Sequence, residues 1–263
     1  MTEPPPEHPP TRPDPSPADY EAHLPPRQGR RTYSVRRTPS GPHLDGQGAS
    51  AAWERAPWSD DFVDIEGDLR PLPRHRSRFR ALWDDECLYV HVAMDEPHLW
   101  GTLTERDSVI FHDNDIELFL NPSNDGLNYY ELEVNALNTV WDLVLRVPYR
   151  MGGRDDSVWR IEGLRTAVHL DGTLNDPSDV DRGWSVEIAI PFAALNVHTD
   201  APSAPKVGDA WLVNLSRVQW DLEVVDGAYR KVEGRPEHNW VWSPQGLIDM
   251  HVPLRWGWFE FEA

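Results

Sequence analysis

The sequence predicts an all-β protein, a two-sheet antiparallel β-sandwich. Three observations predict it. Apolar and polar residues alternate at period two in many short runs, turn-forming residues separate those runs, and no segment sustains the 3.6-residue period of a helix. Short strands, regular turns and no long helix together define this class.

The elements follow in order. Residues 1–28 hold ten of the chain's 25 prolines and almost no apolar side chains. Such a segment cannot offset its own ordering entropy and is expected to be a disordered tail. Order is expected to begin near Tyr33, so that one domain covers residues 31–262. Residues 78–83 alternate, Asp84-Asp85 turns the chain, and residues 88–94 alternate again, which is a hairpin signal. In the next strand Ile116, Leu118 and Leu120 share one face, and Asp113, Asp115, Glu117 and Phe119 share the other. After a turn at residues 121–126, the strand at 129–136 puts Glu131, Glu133 and Asn135 on one face. Further strands are expected at 141–147, 163–170, 184–190 and 211–218. Only residues 192–197 suggest a helical turn.

Composition narrows the function. With 39% hydrophobic residues the chain can bury a core. Its 44 acidic against 25 basic residues give a formal charge of −19, which argues against nucleic acid and anionic membrane surfaces as partners. A neutral ligand, a cation, or solubility alone fits that charge. No run approaches the ~18–20 apolar residues of a membrane span. The opening MTEPPPEHPP has neither the basic start nor the apolar stretch of a Sec-type signal peptide. The chain as given is therefore expected to be cytoplasmic, or secreted if its start site is misplaced. The single cysteine, Cys87, excludes a disulfide scaffold.

Thirteen tryptophans are more than a core of this size needs, and five of them, Trp220, Trp240, Trp242, Trp256 and Trp258, crowd the C-terminal part of the chain. An indole is a flat apolar platform for the C–H face of a sugar, with an N–H that wants a partner. Most of the thirteen are expected in the core, which leaves one or two to line a groove.

Three polar clusters could carry chemistry. In His112-Asp113-Asn114-Asp115-Ile116-Glu117, alternate carboxylates share a strand face and could meet Glu131, Glu133 and Asn135 across a hairpin. Arg78 and Arg80 are candidates for the opposite side. Carboxylates accept charge-assisted bonds from vicinal hydroxyls; the alternative is a solvated sheet face. The loop at 171–181 offers Asp171, Asn175, Asp176, Asp179 and Asp181, hard oxygen donors of the kind Ca²⁺ takes. It lacks the EF-hand spacing, and a plain Asx-rich turn is the alternative. In His238-Asn239-Trp240-Val241-Trp242-Ser243-Pro244, an amide stands beside indoles, a combination suited to a sugar. No Gly-x-Ser-x-Gly, phosphate loop or His-Glu-x-x-His is present.

At this point the sequence resembles a family. Leu44-Asp45-Gly46, then Trp53-Glu54-Arg55-Ala56-Pro57, is similar to the opening of the family 9 carbohydrate-binding modules. Residues 81–90, the run Asp113-Asn114-Asp115-Ile116-Glu117-Leu118-Phe119-Leu120, and Gly183-Trp184-Ser185-Val186-Glu187-Ile188-Ala189-Ile190-Pro191 match in the same order. So do Asn138-Thr139-Val140-Trp141-Asp142 and residues 239–246, closest to the family 9-like branch. The resemblance spans roughly residues 31–262. It implies a DOMON-like β-sandwich that binds sugars, with structural calcium. It implies a sugar held between two aromatics, the first at Phe111 and the second at Trp240 or Trp242, with Glu117 and Asn239 bonding its hydroxyls. An Arg of the better-known branch falls among residues 131–135, where this chain has none.

The expected function is non-catalytic binding of a mono- or oligosaccharide, with no nucleic acid or membrane partner. The expected ligand-binding set is Phe111, Asn114, Glu117, Glu131, Asn135, Asn239, Trp240 and Trp242. The expected calcium set is the five loop residues above, and no catalytic residue is expected. The rival is a glycoside hydrolase, or an accessory enzyme of carbohydrate catabolism, pairing Glu117 with Glu131 or Glu133. A haem or redox module, with Met94 and a His as axial ligands, is a third class.

Overall fold

The computed structural model describes residues 16–24, 29–156, 158–196 and 204–263. Its strands are β1 (Thr32–Arg37), β2 (Val63–Asp64), β3 (Ser77–Trp83), β4 (Cys87–Asp95), β5 (Asp115–Asn121), β6 (Tyr129–Asn135), β7 (Val140–Leu145), β8 (Asp155–Asp156), β9 (Arg165–Asp171), β10 (Gly183–Pro191), β11 (Ala210–Gln219), β12 (Leu222–Val225), β13 (Ala228–Lys231), β14 (His238–Val241) and β15 (Gly257–Glu262). The expected strands are all present. Residues 192–196 form the expected helical turn, as a short 3-10 helix.

The strands do not form two separate sheets. Thirteen of them make one sheet, in the order β8-β7-β6-β5-β11-β15-β1-β3-β4-β10-β9, with β14 and β2 beside β11. The remaining pair, β12 and β13, is a separate hairpin. The sheet is not wholly antiparallel, because β1 runs parallel to both β15 and β3 and joins the two halves. The halves share one core. Phe79, Val90, Val92, Val186 and Ile188 from β3, β4 and β10 meet Ile116, Leu118, Leu132 and Leu215 from β5, β6 and β11. The architecture is thus all-β, a large curled sheet plus a small one. Burying both halves against each other supplies the apolar area that a single-faced sheet lacks.

One buried polar tie joins the halves, and a second fixes the N-terminal loop against β10. At one end Arg217 of β11, 1% exposed, donates to Ser77 Oγ (3.0 Å), Asp95 O (2.9 Å) and Glu96 Oε2 (2.9 Å). The other tie centres on Glu187 of β10. Its Oε1 accepts Trp53 Nε1–H (2.6 Å), and its Oε2 accepts the backbone N–H of Asp45 (2.8 Å) and Gly46 (2.6 Å). Gly46 has φ +80°, and a Cβ there would lie 2.5 Å from the Val168 carbonyl carbon, so this turn needs glycine. The Asp-Gly, Trp and Glu of the sequence pattern are therefore one structural clamp. Trp83 and Trp184 are buried in the main core, as their strand pattern predicts.

The tail differs from expectation within its described part. Residues 17–22 form a helix, α1 (Pro17–Ala22), capped reciprocally by Ser16 and Asp19. The signal is local: Ser-Pro-x-Asp supplies an N-cap, a proline at N1 and an acidic N3 residue. The ion pair between Glu21 and Arg255 Nε (3.9 Å) joins it to the domain. Residues 1–15 and 25–28, the rest of the expected disordered tail, lie outside the described residues.

Glu187→Ala leaves two buried donors and one half-buried donor without an acceptor, so it is expected to lower unfolding free energy by about 3–5 kcal/mol. Urea denaturation measures this. An unchanged midpoint would show that the clamp contributes nothing.

Candidate functional site

The outer face of β5, β6 and β7 carries the site. Register fixes its layout: Glu117 pairs with Ser216 on one side and Glu133 on the other, and Glu133 pairs with Trp141. A second row runs Asn214, Phe119, Glu131, Leu143. Directly opposed side chains in an antiparallel sheet stand ~4.5–5.5 Å apart at Cβ. Two rows of four residues therefore make a continuous floor, with carboxylates in the middle and an indole at the edge.

Loops cover this floor and leave a cavity of about 210 Å³. Glu117, Phe119, Glu131, Glu133, Trp141 and Leu143 are its floor; Phe111, Tyr149, Glu237, Asn239, Ile248, Asp249, Met250, His251 and Ile65 are its walls. Phe111 is set by a 3-10 turn (Ile110–His112) just before β5. Its N–H donates to Glu133 Oε2 (2.9 Å), and its carbonyl accepts Trp220 Nε1–H (2.9 Å). Asn239 is held by β14, whose neighbours pair with β11 and β2. The two remaining wall segments are joined by the Arg150–Asp249 ion pair (2.7 Å) and by Tyr149 packed edge-on to His251, ring centroids 4.5 Å apart. Larger hollows lie around Arg31–Asp95 (540 Å³) and Asp85–Ala204 (610 Å³). Neither combines converging carboxylates with an indole.

The carboxylates are buried rather than solvated, because the loops cover β5 on its second face. Asp115 is 0% exposed and Glu133 1%. Burial pushes the Glu117 carboxyl up to about 8. Burial, reinforced by the neighbouring acids, holds Asp115, Glu131 and Glu133 well above the ordinary carboxylate range. Neither oxygen of Asp115 has a hydrogen-bond partner, nor has Glu131 Oε2 or Trp141 Nε1. Native proteins leave few buried polar groups unmet, so each of these calls for a physical explanation.

The structure brings four of the eight expected ligand residues together: Phe111, Glu117, Glu131 and Asn239 all reach the cavity. The other four do not. Trp240 is 3% exposed, covered by the guanidiniums of Arg74 (5.4 Å) and Arg217 (5.3 Å). Trp242 is in the core, edge-on to Phe79 at 5.2 Å. Neither has a free face to stack on a ligand. Asn114 donates to Glu96 and accepts from Trp220 N–H, and so belongs to the buried Arg217 network. Asn135 closes the β6–β7 turn by accepting from Leu137 and Thr139 N–H. Arg78 lies over the Trp58 ring at 4.3 Å rather than facing the carboxylates. Met94 is a core residue. Glu133, expected only as a facing carboxylate or as the rival hydrolase's partner of Glu117, also lines the cavity, as do Trp141 and Tyr149, for which no site role was expected.

The loop expected to bind calcium serves the chain itself. Asp181 accepts from the N–H groups of Leu99 (2.7 Å) and Thr173 (2.6 Å), and Asp176 accepts from Ser178 N–H (2.9 Å). Asn175 exchanges bonds with Gly101 (3.1 and 2.9 Å), and Asp171 pairs with Arg182. Asp179 is exposed. These oxygens satisfy turns, and among the described residues they form no convergent group. Among the described residues, the acidic groups that converge are Asp115, Glu117 and Glu133, with oxygens within 4.8 Å of one another.

Comparison with known proteins agrees with this architecture. Residues 44–214 match the family described as carbohydrate family 9 binding domain-like, and the chain belongs to that family. A Bacteroides uniformis protein described as a candidate carbohydrate binder shares the fold, with TM-score 0.66 and 16% identity over 89% of this chain and 100% of that one. Also similar is a family 9 carbohydrate-binding module from Caldicellulosiruptor kristjanssonii. In complex with glucose it aligns with TM-score 0.57 and 17% identity, covering 89% of this chain and 96% of the module. Its cellotriose complex aligns with TM-score 0.53 and 17% identity, covering 89% and 94%. None of the curated proteins compared with the chain matches it.

Burial alone drives the His251 imidazole down to about 4. It faces Tyr129, whose Oη is 3.0 Å from Nδ1, as well as Tyr149 and Phe119, and the backbone N–H of His251 donates to Asp249. A depressed folded-state value means that the unfolded chain binds the proton first. The stability His251 contributes is therefore complete above its ordinary 6.5 and is lost as pH falls toward about 4. The melting-temperature advantage of wild type over His251→Asn is expected to shrink across that window. A constant advantage would contradict it.

Proposed function

We propose that this chain binds a mono- or oligosaccharide, without chemistry, in the cavity above β5, β6 and β7. The observation that carries the reading is the row Glu117, Glu133, Trp141 on one floor, with Phe111 and Tyr149 in the walls. An indole gives a sugar's C–H face a flat apolar surface, and Trp141 Nε1–H is left free to donate. Carboxylates and the Asn239 amide choose among hydroxyl stereochemistries. Membership of the family supports the reading, as does the shared fold with a module that binds glucose and cellotriose. Relative to the expected site, the stacking platform moves from Trp240 or Trp242 to Trp141.

One observation favours a second reading. A carboxyl held near 8, as Glu117 is, has the protonation a glycosidase's general acid needs. Turnover of aryl glycosides or oligosaccharides that disappears in Glu117→Gln would replace binding with hydrolysis.

Calorimetric titration with glucose and cellotriose tests the proposal. Dissociation constants on the order of micromolar to millimolar are expected, because hydroxyl contacts compete with water. Trp141→Ala should weaken binding about tenfold or more, equivalent to losing ~1.4 kcal/mol. Glu117→Gln should weaken it while leaving the melting curve cooperative. Absence of heat with these and other neutral oligosaccharides, or an unaltered Trp141→Ala titration, would overturn the reading.

A further inference from the structure

The carboxylate floor poses an electrostatic problem that sugar hydroxyls do not solve. Asp115, Glu117 and Glu133 bring one oxygen each within 4.8 Å of the others, and all three are buried. Glu131, 4% exposed, lines the same cavity from the neighbouring row. The strongest charge effects on these four come from other carboxylates, including Asp113, Asp155 and Glu237. Grouping like charges away from water costs several kcal/mol per ion, so such acids hold protons unless a counter-charge sits among them.

Two further observations point to a missing ligand. Asp115 is fully buried, and neither of its oxygens has a hydrogen-bond partner. Glu131 Oε2, outside the converging trio, is buried and unpartnered as well. Elsewhere the buried acids Glu187 and Glu96 are matched by donors. Against these two the floor stands apart: among the described residues no cation is paired with its carboxylates.

We propose that Asp115, Glu117 and Glu133 form a site for a hard divalent cation such as Ca²⁺, with Glu131 as a fourth oxygen donor. Donors on opposite sides of a Ca²⁺ at ~2.4 Å stand ~4.8 Å apart, so three oxygens within that limit fit one coordination sphere. Carboxylate oxygens are what hard cations take, and a Ca²⁺ sphere of six to eight oxygens leaves room for water from the cavity. The pairing that creates the site is Glu117 against Glu133, a cross-strand acid pair on β5 and β6. Opposed like charges destabilise a sheet unless something bridges them. The cation turns that repulsion into a link between strands.

The test uses the full chain, stripped with chelator and free of sugar, so its outcome is independent of the carbohydrate reading. Calcium chloride is titrated by calorimetry, and melting is followed with and without the ion. One equivalent should bind, and the melting temperature should rise by several degrees. Glu133→Gln and Asp115→Asn should abolish that response. In chelator, Glu133→Gln should melt no lower than wild type, because a neutral amide replaces an acid whose charged form burial disfavours; in calcium wild type should melt higher. Asp179→Asn, in the exposed loop, should respond as wild type does. No heat or melting shift at millimolar calcium overturns the proposal. So does a response that survives Glu133→Gln or disappears in Asp179→Asn.

Discussion

Strand β5 is covered on both faces, and the rest of the molecule follows from that constraint. Its even-numbered residues, Ile116, Leu118 and Leu120, enter the core shared by the two halves of the sheet. Its odd-numbered residues, Asp115, Glu117 and Phe119, would face water on an ordinary antiparallel sheet. Here the 3-10 turn at Phe111, the β2–β14 ribbon and the segments around Tyr149 and His251 cover them. A solvated acidic face becomes a closed one, and the same covering that forms a cavity also unsettles the charge of its floor.

The two polar ties serve this arrangement differently. The Glu187 clamp is remote from the cavity and fixes the N-terminal loop against β10. The Arg217 network adjoins the site. Through Glu96 it meets Asn114, which accepts from Trp220 N–H, and the Trp220 indole in turn bonds the Phe111 carbonyl. Phe111 therefore stands where a chain of buried hydrogen bonds puts it. Such a wall is preorganised, and preorganisation favours affinity by lowering the ordering cost of binding.

Much of the fold was legible in the sequence because a period of two survives wherever one face of a strand is apolar. The hairpin of β3 and β4 and the faces of β5 and β6 read directly. The parallel pairing of β1 with β15 and β3 did not, because it joins segments far apart in the chain and leaves no local pattern. Half of the candidate site was legible. Residues of one parity in β5 and β6 lead to Glu117 and Glu131, and Phe111 and Asn239 came with the family pattern. Two of the misplacements had a signal. Asn239 and Trp240 are adjacent in β14, so they face opposite sides, one to the cavity and one to the core. Asn114 likewise has the wrong parity to join Glu117. Trp141 was hidden, because its place beside Glu133 depends on the β6–β7 register set by the Asn135–Thr139 turn. For Asn135 and the acidic loop, composition does not reveal whether a polar side chain meets a ligand or its own backbone, and in the structure backbone N–H groups take the oxygens of Asn135 and Asp181.

The account's central claim is that the floor of β5, β6 and β7, and not the C-terminal tryptophan cluster, is where a sugar sits. A crystal structure of the protein soaked with cellotriose tests it most directly. The account predicts a pyranose ring against Trp141, with hydroxyls in hydrogen-bond range of Glu117 and Asn239. A sugar seated elsewhere, such as the hollow around Arg31 and Asp95, with this cavity free of it, would contradict the account.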